Sequence, residues 1–299
     1  MPSETQSTGP ASPGPTSPGP TSPGPTSPGT WPQDPAGRAT PVAADAATVA
    51  QLAASSPDGR ELDARVSVCR ACPRLVEWRE TVARERRAAY RSEQYWGRPV
   101  PSWGPLDASV ALVGLAPAAH GGNRTGRIFT GDRSGDVIFA ALHRAGLAAQ
   151  PTSVRIDDGQ RLLGARIVAP VHCAPPANKP TPAERDACRP WLVRDLELLR
   201  PTLRAVVALG AFAWAATWPA LAAAGWPTPA GRRPQFGHGA EVRVDLPHDE
   251  TGQHGTAGQQ GLLVLGCYHP SQQNTFTGRL TPAMVDDVLV RAVEHVSGT

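Results

Sequence analysis

The residues in this chain best suited to metal chemistry are four cysteines that form two separated pairs. Two residues separate Cys69 from Cys72 in "CRACPR", and fourteen separate Cys173 from Cys188. Four thiolates from two such pairs can complete a tetrahedral Zn²⁺ site or hold an iron–sulfur cluster, and spacing alone does not choose between them. The alternative is a set of unrelated buried thiols. The fifth cysteine, Cys267, lies in an apolar run and is predicted to be a core residue.

A histidine and three neutral amides follow an apolar run near the C-terminal end of the chain. The run "GLLVLG" continues into "CYHPSQQN", where His269 precedes Gln272, Gln273 and Asn274. Amide side chains both donate and accept hydrogen bonds, so they can contact a ligand. We predict a binding loop here. The alternative is a histidine with a purely structural role.

These groups need a scaffold, and the periodicity of apolar residues predicts alternating strands and helices. Predicted strands cover residues 108–117, 165–173, 203–210 and 261–270, and the helices that follow them cover 134–147, 181–201, 211–225 and 281–296. Four such pairs indicate an open parallel sheet with helices on both faces. A further short strand is predicted in "AEVRVDL".

Three unusual segments lie at the predicted strand ends. They are "GLAPAAHGGNRTGRIFTGD", "VHCAPPANKP" and "CYHPSQQN". Ligands of open α/β sheets bind at the carboxyl ends of the strands. The residues alone therefore predict a ligand site at this edge of the sheet, for an anionic ligand.

The composition divides the chain into a tail and a domain. Residues 10–29 repeat Pro, Ser or Thr, and Gly with a period of five, which leaves no large apolar side chain to drive folding. We predict that residues 1–40 are disordered and that residues 41–299 form one domain. The 299-residue chain has no apolar run of 18 residues and no secretory signal, so we predict a cytoplasmic protein whose thiols stay reduced.

The charge pattern is a weak indicator of the partner. The formal net charge is only +3, but ten arginines lie between residues 60 and 98. Such a cluster is compatible with a polyanionic partner or with a solvated helix face.

The three strand-end segments, in this order, resemble those of the uracil-DNA glycosylase superfamily, specifically its family 5 (type b), iron–sulfur branch. The resemblance rests on residues 114–132, 173–188 and 269–284 and covers about residues 60–297. It implies a three-layer α/β/α fold with a central four-stranded parallel sheet, preceded by the disordered tail. It also implies a [4Fe-4S] cluster on the four paired cysteines, and by this analogy favours iron–sulfur over zinc.

The same resemblance implies a DNA-repair activity. A glycosylase of this kind flips uracil or another deaminated or damaged base out of DNA, hydrolyses the N-glycosidic bond and leaves an abasic site. The implied partner is single- or double-stranded DNA, and we expect a monofunctional, monomeric enzyme. One alternative is a family 4-like glycosylase largely restricted to uracil. Another is a non-catalytic iron–sulfur protein that binds nucleic acid.

The resemblance also suggests roles for individual residues. Backbone N–H groups near Ala116 serve as donors, Phe129 stacks on the flipped base, and Asn178 reads its pairing edge. His269 donates to a carbonyl oxygen of the leaving base. Gln272, Gln273 and Asn274 enter the DNA groove. Taken singly, each of these has a structural alternative as a core or turn residue.

The catalytic carboxylate needs a separate argument. The residue after the first motif glycine is Glu in the family 4 relatives, but here it is Leu115. We predict that Asp132 is the catalytic carboxylate, with Asp136 as the fallback. A carboxylate at this place can stabilise positive charge on the sugar or activate water. The alternative role for Asp132 is stabilising a helix N-terminus. The apolar wall left by Leu115 predicts a pocket that accepts bases other than uracil.

Overall fold

A single mixed sheet organises the part of the chain that the computed structural model describes, residues 25–229, 231, 233–245 and 261–298. Its strands are β1 (Val110–Val113), β2 (Ala165–Val168), β3 (Ala205–Leu209), β4 (Glu241–Val244) and β5 (Leu262–Cys267). They lie in the order β2-β1-β3-β5-β4. The first four are mutually parallel, and β4 runs antiparallel to β5 at the edge.

Helices cover both faces of this sheet, and the first helices of the chain pack against one of these covering helices. Within the described residues they are α1 (Ala46–Ala54), α2 (Gly59–Ser67), α3 (Pro73–Glu85), α4 (Gly122–Thr125), α5 (Arg133–Arg144), α6 (Pro182–Leu199), α7 (Ala211–Ala223), α8 (Gln272–Phe276) and α9 (Pro282–Ser297). Short 3₁₀ turns lie at Ala88–Tyr90 and Pro176–Asn178. The helices α1 and α2 pack on α6, while α3 contacts α4.

The sheet separates two apolar cores because neighbouring side chains of a strand point to opposite faces. On one face, Ile138 of α5 and Val288 of α9 pack with Leu112 of β1. On the other, Leu196 of α6 and Trp214 of α7 lie in the second core. Strands buried on both faces read as continuous apolar runs, which explains why the sequence shows runs and not alternation.

Within the described residues, one edge of the sheet is paired with a further backbone segment and the other carries charged side chains. At one edge, Trp103 pairs with Ile167 of β2 through reciprocal backbone hydrogen bonds of 2.9 and 2.7 Å. At the other, β4 carries the exposed side chains of Glu241 and Arg243, and Glu241 forms an ion pair with Arg291 of α9. Charged residues on an edge strand oppose pairing with another sheet.

The predicted α/β fold is confirmed, with the sheet extended by one strand. The four parallel strands and the helices that follow them occur where periodicity predicted them, and the short strand in "AEVRVDL" is β4. The strands are shorter than predicted because their last residues already belong to the strand-end turns. Cys267 is 1 % exposed, as expected of a core residue.

The predicted tail differs from the structure over residues 25–40. Residues 1–24 lie outside the described residues. From residue 25 onwards the chain packs on the domain: Thr26 and Ala36 are buried, and Asp34 forms an ion pair with Arg98. The composition of this segment resembles that of the preceding repeat. Its Trp31 and Asp34, however, bond to Thr125 and Arg98, which lie far along the chain.

Within the described part of the chain, no helix has the length and apolar character needed to cross a membrane.

Candidate active site

The loop between β1 and α5 holds Phe129 in a constrained position. Its backbone is left-handed, with φ of +52°, and its ring is buried. A Cβ at Gly114 would lie 3.3 Å from the ring, and one at Gly135 would lie 2.0 Å from the Phe129 carbonyl oxygen. Side chains are therefore excluded on both sides of Phe129. A non-glycine residue in this backbone region is uncommon and is typical of functional sites.

Asp132 ends the same loop and begins α5. It is the N-cap of that helix, which is the structural alternative given for it above, and its Oδ1 accepts a hydrogen bond of 2.9 Å from Gly135 N–H. The other oxygen, Oδ2, would lie only 1.9 Å from a Cβ at Gly121. Burial is the main cause of a raised pKa for Asp132. The fallback candidate, Asp136, is exposed one turn further along α5.

His269 follows β5 and meets Phe129. The two ring centroids are 6.3 Å apart and the ring planes are tilted by 41°. Gly210, with φ of +95°, lies behind the histidine, where a Cβ would come within 3.1 Å of the His269 Cβ. Burial lowers the pKa of His269 to about 4. The imidazole is therefore neutral near pH 7 and can donate from one nitrogen.

The residues after His269 divide into bonded and exposed groups. The His269 carbonyl oxygen accepts hydrogen bonds from the Asn274 side-chain amide at 2.9 Å and from Ser271 N–H at 2.8 Å. Ser271 also caps α8. By contrast, Gln272 and Gln273 are exposed on α8. The Asn274 amide is therefore hydrogen-bonded within the loop, while the two glutamines face solvent.

Asn178 and Ala116 lie on two further segments of the site region. Asn178 ends the turn Pro176–Asn178 with φ of +54°, and its side chain is exposed. Ala116 follows β1, is half-buried and packs beside Cys173 and Phe212. Of the predicted base-binding residues, the structure brings Phe129 and His269 into contact distance, and it leaves Asn178 on the surface.

The four paired cysteines line one cavity, between the N-terminal helices and the sheet. Cys69 precedes α3, Cys72 is the N-cap of α3, Cys173 follows β2, and Cys188 lies on α6. Burial, followed by the neighbouring Cys173 thiol, raises the pKa of Cys69 to about 11 and that of Cys72 to about 12. Burial also raises the pKa of Cys188 well above its usual range. Four thiolates can share this cavity only if a cationic group offsets their charge.

Arg79 of α3 reaches into the same cavity and is 1 % exposed. Its guanidinium donates to Cys173 Sγ at 2.9 Å and to the Cys69 carbonyl oxygen at 3.1 Å. Among the described residues its one ion pair, with Glu80, is long at 3.9 Å, and its Nε has no hydrogen-bond partner. A buried cation without a close carboxylate is costly. A negatively charged set of metal-bound thiolates would complement it.

No three His, Cys, Asp or Glu side chains in the described ranges are arranged to hold a metal ion. The four cysteine side chains nevertheless line one cavity.

Sequence reasoning missed two residues of these sites. Arg79 was one of ten arginines in a basic stretch, and nothing in its local sequence indicates contact with a cysteine 94 residues away. Phe276, at the end of α8, is 75 % exposed. A large aromatic residue in a polar loop next to the predicted groove contacts was a signal that could have identified it.

Comparison with known proteins identifies relatives of this chain. The family model for the uracil DNA glycosylase superfamily matches residues 101–292. A Type-5 uracil-DNA glycosylase of Mycobacterium bovis is 53% identical over 232 residues, which are 78% of this chain and 80% of that protein. One from Mycobacterium leprae is 53% identical over 76% of this chain and 91% of its own length. One from Thermus thermophilus is 48% identical over 76% of this chain and 93% of its own length.

The chain therefore belongs to the uracil-DNA glycosylase superfamily. Within it, the similarity to Type-5 proteins over most of the chain confirms the family resemblance found in the three strand-end segments.

Proposed function

We propose that this protein is a DNA-repair glycosylase that removes uracil by hydrolysing its N-glycosidic bond and leaves an abasic site. The observation that carries the proposal is the pair of rings at the strand ends, Phe129 and His269, with centroids 6.3 Å apart. Asp132 ends the loop that carries Phe129. The names of the Type-5 relatives support the same activity.

The flipped base enters beside these rings. Phe129 offers a stacking face that its left-handed backbone and the glycines around it keep in one place. Asn178 reads the pairing edge from its exposed turn. The backbone near Ala116 supplies a further donor. Neutral His269 donates to a carbonyl oxygen of the base as negative charge develops there, a role that needs no imidazolium.

Asp132 acts on the sugar side of the bond. Its Oδ1 is engaged by Gly135 N–H, so Oδ2 is the oxygen available for chemistry. In its ionised form it stabilises oxocarbenium-like charge or takes a proton from the attacking water. Capping α5 and catalysis are compatible, because the cap fixes the carboxylate while leaving one oxygen unused.

DNA lies across the α8 loop. Gln272 and Gln273 contact the groove from exposed positions, and Phe276 presents its ring beside them. Asn274 takes part at the base of this loop, since its amide already donates to the His269 carbonyl oxygen. Neutral amides and one aromatic ring suit binding without sequence preference. Both single- and double-stranded DNA are accepted, the protein acts as a monomer, and it resides in the cytoplasm.

Cys69, Cys72, Cys173 and Cys188 hold a [4Fe-4S] cluster in this proposal. The buried guanidinium of Arg79 at Cys173 supports an anionic set of metal-bound thiolates in this cavity, and the family resemblance favours a cluster over a single zinc ion. When bound, the cluster supplies the positive centre that keeps four thiolates ionised, and so joins the N-terminal helices to the sheet. Purified protein is expected to be brown, and Cys173→Ala to lose iron. A colourless, zinc-containing, fully active preparation would overturn this assignment.

The substrate range extends beyond uracil to other deaminated bases such as hypoxanthine. Leu115 takes the place of a carboxylate after the first motif glycine and makes the pocket wall apolar. In a panel of lesion oligonucleotides, His269→Ala should cost most for the poorest leaving base. Release of uracil alone would support the narrower, family 4-like activity.

An oligonucleotide with a single uracil tests the main proposal. Single-turnover incubation followed by alkali should cleave the strand at the uracil position, and a matched thymine oligonucleotide should stay intact. A shifted band without alkali-labile sites would instead indicate the non-catalytic nucleic-acid-binding alternative.

A further inference from the structure

Residues 25–36, here called the strap, lie against the segment that supports the Phe129 loop. The Thr26 N–H and hydroxyl both donate to the Trp96 carbonyl oxygen, at 3.1 and 3.0 Å. A Cβ at Gly97 would lie 2.6 Å from the Pro25 Cβ. The strap is therefore in close contact with Trp96 and Gly97, with no space for a larger side chain between them.

Trp31 of the strap contacts the loop itself. Its indole N–H donates to the Thr125 carbonyl oxygen at 3.3 Å, and its ring lies edge-on to Trp96 at 6.0 Å. Thr125 is the last residue of α4, and Gly126 follows it with φ of +78°. A Cβ at Gly126 would lie 3.0 Å from the Trp31 indole nitrogen. The C-terminal end of α4 is thus in direct contact with the Trp31 indole.

A buried ion pair fixes the strap at its other end. Asp34 pairs with Arg98, whose guanidinium lies 3.7 Å above the Trp96 ring. Both side chains are largely buried, at 8 % exposure for Arg98 and 2 % for Asp34. Two nitrogens of Arg98, Nε and Nη1, have no partner among the described residues. Removing Asp34 would leave a buried charge without a counterion.

The supported segment is hydrogen-bonded to the two residues that separate Phe129 from Asp132. Trp96 N–H donates to the Arg124 carbonyl oxygen at 3.0 Å. Arg124 in turn donates from Nη2 to the Gly131 carbonyl oxygen at 2.9 Å. The Thr125 hydroxyl bonds to the Thr130 carbonyl oxygen at 3.3 Å. Thr130 and Gly131 are the residues between Phe129 and Asp132, so a shift of α4 is transmitted to both.

We propose that the strap, through Trp31, positions the catalytic loop. The proposal rests on the glycosylase function proposed above, because positioning matters only if Phe129 and Asp132 carry the chemistry. Trp31 is a positioning residue: it touches the loop and not the base. A displacement of about 1 Å at reacting groups can lower a rate by about a hundredfold.

Four variants test the proposal against simple stabilisation. Deletion of residues 1–24 and the control Thr30→Ala, whose hydroxyl bonds only within the strap, should keep wild-type single-turnover rates. Trp31→Ala should lower that rate on uracil DNA by about tenfold or more, with unchanged iron content and unchanged affinity for an abasic-site duplex. Trp31→Phe keeps a ring but loses the bond to Thr125, and should be intermediate.

A wild-type rate in Trp31→Ala at temperatures where it is folded would overturn the proposal, even if its Tm falls. If Trp31→Ala does not fold, the rate of Trp31→Phe decides. If the wild-type chain releases no uracil, the function has failed but the strap can still be tested by amide hydrogen exchange. Exchange at residues 122–131 should then increase in the Trp31 variant while α9 stays protected. Unchanged exchange at these residues would reject the strap's role.

Discussion

The two loops that meet at the strand ends are built in opposite ways. The loop of residues 114–132 is mostly buried, held by hydrogen bonds from Arg124 and Thr125, and closed by glycines that admit no side chain. The loop of residues 269–279 exposes Gln272, Gln273 and Phe276 on a single short helix. A fixed loop suits groups that must meet a transition state, and an exposed one suits a partner whose sequence varies.

The largest expected effect is at the fixed loop. Asp132→Asn should lower the single-turnover rate by about 10²–10⁴-fold on every substrate, because an amide cannot act as a base or carry negative charge. It can still cap α5, so stability, iron content and DNA affinity should be unchanged. Rapid-quench kinetics and a binding titration would check this. A wild-type rate would remove Asp132 from the mechanism.

The pH profile sharpens the same test. The active form of Asp132 is the carboxylate, and burial raises its pKa above that of a free side chain. Activity should therefore fall as the pH decreases through this raised pKa, and the fall should be absent from the residual rate of Asp132→Asn. The pKa of His269, lowered to about 4 by burial, keeps the imidazole neutral near pH 7. If the activity of Asp132→Asn still falls at low pH as in the wild type, a group other than Asp132 causes the fall.

The next largest effect should follow from Gly121→Ala. A Cβ at this position would lie 1.9 Å from Asp132 Oδ2, so the carboxylate must move while every catalytic side chain remains present. We expect a rate about tenfold to a hundredfold lower with little change in affinity. Gly37→Ala is the control, since a Cβ there meets nothing within 4 Å. Equal rates in the two variants would show that the loop tolerates displacement.

Asn274 and Gln273 form a matched pair on the exposed loop. Asn274→Ala removes the hydrogen bond to the His269 carbonyl oxygen, so it should lower rates on single strands and duplexes alike, by about fivefold for a bond of about 1 kcal/mol. Gln273→Ala removes only a solvent-facing amide and should affect duplexes alone. Parallel time courses on both DNA forms would check this. If Asn274→Ala affects only duplexes, its amide acts on DNA and not on His269.

The smallest effect is expected for Phe276→Ala. Its ring is 75 % exposed and supports nothing in the fold, so the free energy of unfolding should change little. Because only a duplex has a gap to fill after base flipping, loss of the ring should raise the duplex KM about threefold while the single-strand rate stays the same. Phe276→Leu serves as the control that retains apolar area. Unchanged duplex kinetics would indicate that this ring does not meet DNA.

Local patterns in the sequence predicted the framework well. Apolar runs followed by Pro- and Gly-rich turns located the four parallel strands, and the helices predicted over 181–201 and 281–296 are α6 and α9, which Thr181 and Thr281 cap. The placement of the segments that carry Phe129 and His269 at one edge was also predicted, since both segments follow strands of one parallel sheet, whereas the roles of the two residues came from the family resemblance. These features depend on neighbours within a few residues or on topology.

The features that the sequence did not predict depend on contacts between distant residues. Composition made residues 25–40 resemble the preceding repeat, but Trp31 bonds to Thr125, 94 residues away. Arg79 meets Cys173 over the same separation. Propensity and periodicity contain no information about such pairs.

The treatment of the sheet edges has a consequence for assembly. Trp103 occupies the β2 edge with two backbone hydrogen bonds, and β4 presents Glu241 and Arg243 at the opposite edge. A second copy of the chain that approached either edge would meet a backbone already paired, or charged side chains that lose hydration on contact. Growth of the sheet from molecule to molecule is thereby disfavoured.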